Sequence, residues 1–192
     1  LARPAKGEFM RLGRLLEAGA HGILYPRCDN AAEAREVVRW AKFAPLGERG
    51  VDSGNPDNHF GELDVATYVE RANAETFIVI QIESPDAVEH AGAIAAVDGV
   101  DAVFFGPGDF SVLSGIPGQT SHERVRQARA TVCEATRAAG KHFATLCFDP
   151  ADVKLCLEMG ATFIAYGADR PLLKAAYRDL QATLGPLGFA FD

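Results

Sequence analysis

The 192-residue chain contains no uninterrupted apolar stretch long enough to cross a bilayer. No basic-then-apolar signal segment opens it, so no membrane partner and a cytoplasmic location are expected. Its four cysteines (Cys28, Cys133, Cys147, Cys156) include no CxxC pair. That spacing argues against a disulfide framework or a zinc knuckle, and for reduced thiols. The five histidines (His21, His59, His90, His122, His142) show no metal-ligand spacing. GxGxxG, GxxxxGK and GxSxG are all missing, which leaves nucleotide binding and an elbow-type serine nucleophile without support. Positive charge is scarce too. With 19 Lys and Arg against 26 Asp and Glu, the net charge of −7 argues against nucleic acid as a partner. It leaves an anionic metabolite open, because local arginines and a metal ion decide that.

What is present is a globular composition, 48% apolar and 23% charged, in a length that suits one domain. One unit recurs: an amphipathic helix, a glycine, then a short apolar strand. It runs through Gly19, Gly99, Gly140 and Gly160. Alternation of this kind predicts βαβ units and a parallel sheet covered on both faces. Strands are expected at 1–3, 21–25, 77–83, 102–106, 142–146 and 162–166. Helices are expected at 7–18, 30–42, 63–73, 86–96, 122–139, 150–159 and 170–184. The stretch Pro45–Glu62, rich in Gly, Asn, Asp and Pro, reads as a long loop. Six βα units fit an open doubly wound sheet or part of a (β/α)₈ barrel, and both keep their sites at the carboxyl ends of strands.

Two strand ends carry the chemistry: Gln81-Ile-Glu83 and Gly106-Pro107-Gly108-Asp109. Period-2 alternation sets Gln81 and Glu83 on one face of their strand and Ile80 and Ile82 on the other. A carboxylate among aliphatic neighbours is costly without a cation. Glu83 and Asp109 together form a hard oxygen site suited to Mg²⁺ or Mn²⁺. Each has a blander role available, Glu83 as a cap of the helix at Ser84-Pro85 and Asp109 as an N-cap of the turn from Phe110 to Ser114. The amides of Gly108 and Asp109 offer a cradle for a carboxylate. Arg3, at the end of the first strand, offers a guanidinium for a carboxylate or an enolate oxygen. Arg49 is expected to anchor its own loop, and neither Lys141 nor Lys154 stands where a Schiff base would form.

These segments resemble the HpcH/HpaI family of class II, metal-dependent aldolases. The likeness runs through Arg3-Pro4, Leu15–Ala20, Gly22–Pro26, Pro45–Gly50, Gln81–Glu83, Gly99–Ser111, Gly118 and Gly160–Asp169, essentially the whole chain. It implies a (β/α)₈ TIM barrel, usually hexameric, that cleaves or forms 4-hydroxy-2-oxo acids from pyruvate and an aldehyde. It implies Glu83 and Asp109 as ligands of Mg²⁺, or of Mn²⁺ or Co²⁺. Arg3 then binds the pyruvate oxygens, Gln81 lies beside the metal, and Gly106, Pro107, Gly108 and Asp109 hold the substrate carboxylate. Glu17 matches an acidic residue that reaches a neighbouring subunit, so a homo-oligomer, hexamer or trimer, is expected. Where the family loop usually reads GPADLS this chain has GPGDFS, and Val51–Glu62, without a close family counterpart, is expected to shape aldehyde specificity.

The likeness begins at the barrel's third strand, so the first two βα units, about 60 residues, are expected to be absent from this chain. Those units carry the family's His–Asp acid/base pair. Alternatives are a citrate lyase β-like acyl-CoA lyase, a 2-oxo acid decarboxylase, or a truncated subunit without catalysis.

Overall fold

The computed structural model describes residues 1–190. Five parallel strands form one sheet: β1 (Gly22–Tyr25), β2 (Phe77–Ile82), β3 (Ala102–Phe105), β4 (His142–Cys147) and β5 (Phe163–Tyr166). Their spatial order follows the chain, β1-β2-β3-β4-β5. A doubly wound sheet reverses direction at its switch point; this one does not, and it curls as half a barrel does. The expected strand at 1–3 is present as a single parallel bridge, Ala2 to Ile23.

Nine helices occur among the described residues: α1 (Arg11–Glu17), α2 (Ala31–Ala41), α3 (Val65–Glu75), α4 (Pro85–Glu89), α5 (Ala91–Ala95), α6 (Pro107–Leu113), α7 (Glu123–Ala138), α8 (Pro150–Met159) and α9 (Asp169–Leu184). The four glycines of the recurring unit all take positive φ, closing a helix before the next strand. Where one helix is expected at 86–96, two short ones meet at His90, whose ring accepts no capping bond. None of these helices is long and apolar enough to span a membrane.

Strand alternation sorts the core into two layers. Ile23, Tyr25, Ile78, Ile80, Ile82, Val103, Phe105 and Phe143 face the helices and fill the larger core. Leu24, Val79, Phe104, Ala144, Leu146 and Phe163 form a smaller cluster on the opposite, inner face. Gln81 and Glu83 continue the Val79 side, so the chain's own periodicity delivers them to the inner face at its carboxyl end. By contrast α9 buries no residue, and its Leu172, Leu173, Tyr177 and Leu180 are exposed.

The loop 45–62 is more ordered than its composition suggests. It contains a 3₁₀ turn at Pro56–Gly61 and is pinned from inside by Arg49. That guanidinium is buried, stacks over the Phe43 ring at 4.5 Å, and donates to Asp57 at 2.5 Å and to the Tyr68 hydroxyl at 3.0 Å. Lys42, also buried, donates to the carbonyls of Asn73 and Thr76 and ties the loop's start to α3. Arg49→Leu leaves the Asp57 charge without its partner, and is expected to cost roughly 3 kcal/mol, measured as a shifted urea midpoint at unchanged slope.

Candidate active site

β2 ends at Ile82, and Glu83 follows it into the junction with α4. The helix is capped by Ser84, whose hydroxyl accepts from the Ala87 amide. Capping therefore makes no demand on Glu83. Its side chain is only 3% exposed, and it lies instead among Gln81 of its own strand and two neighbours from other strand ends. The Arg27 amide donates to Glu83 Oε2 at 2.9 Å, and Gln81 Nε2 approaches Oε1 at 3.3 Å. Gly106, just past β3, presses on it from the far side. A Cβ built on Gly106 would lie 2.7 Å from Glu83 Cγ and 2.9 Å from Cδ, closer than packed atoms tolerate. Any side chain at Gly106 would force this carboxylate to shift.

Burial pushes the Glu83 carboxyl above the usual carboxylate range; the Arg27 amide opposes this. The charge of Asp109 adds to the upward push, while the cations of Arg3 and Arg27 pull down. Four residues from successive chain segments thus act on Glu83: Arg3 beside the Ala2 bridge, Arg27 after β1, Gln81 on β2 and Asp109 after β3.

Asp109 is not a helix cap. Pro107 takes the first helical position, so α6 starts earlier than the expected turn, with Gly106 as N-cap and Asp109 within the first turn. Asp109 and Gly108 are exposed, whereas Gly106 and Pro107 are buried. The amides of Gly108 and Asp109 belong to the first turn, where a helix offers no internal acceptor. Ser111 fixes this corner: its buried hydroxyl donates to the Gly108 carbonyl at 2.7 Å and accepts from the Gly118 amide at 3.0 Å.

The donor set fits a hard divalent cation. It offers carboxylate and amide oxygens with no sulfur or imidazole. Gln81 Oε1 is buried without a hydrogen-bond partner, and a cation or an ordered donor would satisfy it. One trio of nearby potential ligands lies elsewhere, at Cys147, Asp152 and Cys156. There the buried Arg129 already donates to Asp152 and lies 3.3 Å from Cys156 Sγ, so the trio is closed by a guanidinium.

Other expectations sort cleanly. Arg49 anchors its loop. His122 caps α7, His90 bonds the Asp86 carbonyl, and His21 and His142 stand at the amino ends of β1 and β4. His59 joins His21 around a cavity of about 180 Å³, with Pro56 and Thr76 also on its wall. Pro56, Asp57 and His59 of the Val51–Glu62 segment thus lie near the amino ends of β1 and β2. Glu17 is buried and paired with Arg14 at 2.7 Å. Sequence reasoning missed Arg27. Its position, one residue past Pro26 at a strand's carboxyl end, was the available signal; the contact with Glu83 spans 56 positions and leaves no local mark.

The profile described as HpcH/HpaI aldolase/citrate lyase matches residues 5–176. A 2-keto-3-deoxy-L-rhamnonate aldolase of Klebsiella pneumoniae is 38% identical over 175 residues, which cover 91% of this chain and 65% of that protein. The chain thus spans just under two thirds of that relative's length. Among solved structures, an HpcH/HpaI aldolase from Desulfitobacterium hafniense DCB-2 superposes with a TM-score of 0.88 at 36% identity, covering 95% of this chain and 70% of that one. The citrate synthase SbnG superposes with a TM-score of 0.81 at 28% identity, covering 97% and 70%. The chain belongs to the HpcH/HpaI aldolase/citrate lyase family.

Proposed function

We propose that the protein is a divalent-metal-dependent carbon–carbon lyase, an aldolase that cleaves or forms 4-hydroxy-2-oxo acids, with pyruvate and an aldehyde as the small partners. The observation that carries this reading is Glu83: a carboxylate sealed against Gly106, beside an unpartnered Gln81 oxygen, and feeling the charges of Asp109 and Arg3. The Arg27 amide needs an acceptor there rather than a charge, and burial of a charge is costly. Functional sites are where such costs are retained.

In this proposal Glu83 and Asp109 hold Mg²⁺, Mn²⁺ or Co²⁺. Such an ion, when bound, supplies Lewis acidity toward a 2-oxo group and its carboxylate. The chain's own residues do the rest. Arg3 stabilises negative charge on the oxygen of the 2-oxo group as the carbon–carbon bond breaks. Gln81, fixed by its contact with Glu83, keeps that carboxylate oriented. The Gly108 and Asp109 amides, with Gly106 and Pro107 shaping their corner, receive the substrate carboxylate. No lysine lies among these residues, and a Schiff base has no part in the scheme.

The same proposal assigns residues 1–192 to a single (β/α)₈ barrel domain, assembled as a homo-oligomer. The His–Asp acid/base pair that the family likeness implies would belong to the barrel's first two βα units.

The test is pyruvate release from a panel of 4-hydroxy-2-oxo acids, with and without EDTA. Release is expected to stop with chelator and return on adding Mg²⁺, Mn²⁺ or Co²⁺. Chelator-insensitive turnover, or full activity in Glu83→Ala, would refute the metal role.

A further inference from the structure

Of the four cysteines, two are satisfied singly and two face each other. Cys28 Sγ donates to the Asn30 carbonyl and Cys133 Sγ to the Met159 carbonyl, each at 3.3 Å. Cys147, closing β4, and Cys156, on α8, instead share one cluster with Asp152. There the two sulfurs and a carboxylate oxygen all lie within 4.8 Å of one another. Both cysteines are buried, and both are free thiols. Arg129 reaches in from α7, donating to Asp152 and standing 3.3 Å from Cys156 Sγ. A cation against one thiol of a pair makes the two unequal, because it favours that sulfur's thiolate, the reactive form. Burial pushes Cys147 up to about 12. Burial raises Cys156 as well, but there the Arg129 charge and a hydrogen bond from Cys147 pull the other way.

The helix that carries Cys156 is lightly held. Among the residues of α8, Pro150–Met159, Cys156 alone is buried. Little apolar area ties this helix to the sheet, and an element of that kind opens locally at low cost. A cleft of about 270 Å³, with Phe148, Arg129 and Asp152 on its wall, borders the same cluster. A molecule as small as hydrogen peroxide thus has a way to Cys156.

We infer that Cys147 and Cys156 form a reversible disulfide that staples α8 to β4 when the chain meets a peroxide. The Cys156 thiolate attacks one peroxide oxygen. The O–O bond breaks, and the hydroxide released takes the proton that Cys156 gave up, forming water. Cys147 then attacks the sulfenyl sulfur. An S–S bond forms, the S–O bond breaks, and the Cys147 proton leaves with that hydroxide as a second water. Two thiols lose two electrons and hydrogen peroxide gains them. The new bond, about 2 Å long, draws the sulfurs in from their present spacing, a closure that a helix with one buried anchor can follow. The device needs no metal and is independent of the aldolase reading.

The folded full chain, treated with a stoichiometric amount of hydrogen peroxide, is expected to lose about 2 Da, the mass of two hydrogens. Peptide mapping should link Cys147 to Cys156, and dithiothreitol should reverse the change. Cys147→Ser should stop at a sulfenic acid on Cys156, trapped by dimedone, whereas Cys156→Ser should leave Cys147 unmodified. Hydrogen exchange of the α8 amides should slow about tenfold in the oxidised chain, the effect of a short cross-link on local opening. The wild-type measurements decide the matter even where a variant fails to fold. No mass loss in the folded protein, a link that involves Cys28 or Cys133, or unchanged exchange in α8 overturns the inference.

Discussion

Glu83→Gln is expected to cut metal-dependent pyruvate release by about a thousandfold and, in the same protein stripped with EDTA, to raise its melting temperature. The two effects share one cause. Glu83 is buried, its carboxyl is held above the usual range by that burial, and Asp109 adds a like charge. Ionised and without a cation, the side chain costs stability; glutamine keeps its shape and removes the charge. A gain of about 1 kcal/mol, or roughly 3 °C at this size, is the scale of such exchanges. The sign with pH follows from linkage. A carboxyl whose folded pKa is raised opposes folding increasingly as pH climbs from the unfolded value, about 4.3, through the folded one. The stabilisation by Glu83→Gln should therefore be full at neutral pH and vanish well below pH 4.3. Scanning calorimetry at several pH values decides it, and a variant less stable than the wild type throughout would show that the carboxylate serves the fold.

Gly106→Ala is the second large effect. The backbone at Gly106, φ −98° and ψ 92°, suits alanine without strain, so any loss comes from the new methyl group alone. That methyl would meet Glu83 Cγ at 2.7 Å and force the carboxylate to turn away. A displacement of this order costs about a hundredfold in rate when the moved group positions a reacting centre. Pairing it with Glu83→Asp separates packing from chemistry. The shorter acid makes room for the methyl, so stability should recover in the double variant while activity stays low. Thermal melts and pyruvate release on the four proteins of the cycle give both readings, and an active Gly106→Ala enzyme would remove the contact from the argument.

How much of this was legible follows the range of the interactions involved. The β2 face was readable because alternation is local: Val79, Gln81 and Glu83 share a side by spacing alone. The recurring helix, glycine and strand unit was readable for the same reason. The start of α6 was misplaced because Pro107, not Asp109, sets the first helical position. The order within 45–62 was hidden, since Arg49 finds Asp57 and Tyr68 only once the segment folds back on α3. Barrel and open sheet looked alike in the sequence because strand order is a property of pairing between distant segments, which spacing does not encode. The contacts of Arg27 were hidden for a related reason: its backbone is held by partners after β2 and in the first segment of the chain.

Because each strand pairs with its successor, the separations that folding must close can be read from the register. Ala144 meets Phe163 and Val79 meets Ala102 across short spans, Ala102 meets His142 across a longer one, and Gly22 meets Phe77 across the longest. Loop-closure entropy makes that last pairing dearer than the β4–β5 one by about 1 kcal/mol. The grip of the Arg27 amide on Glu83 exists only after it has formed. Docking of β1 on β2 is thus the entropically hardest of these pairings and the one that brings the Arg27 amide onto Glu83, so loss of that single pairing undoes the contact while the other strand pairs stay intact.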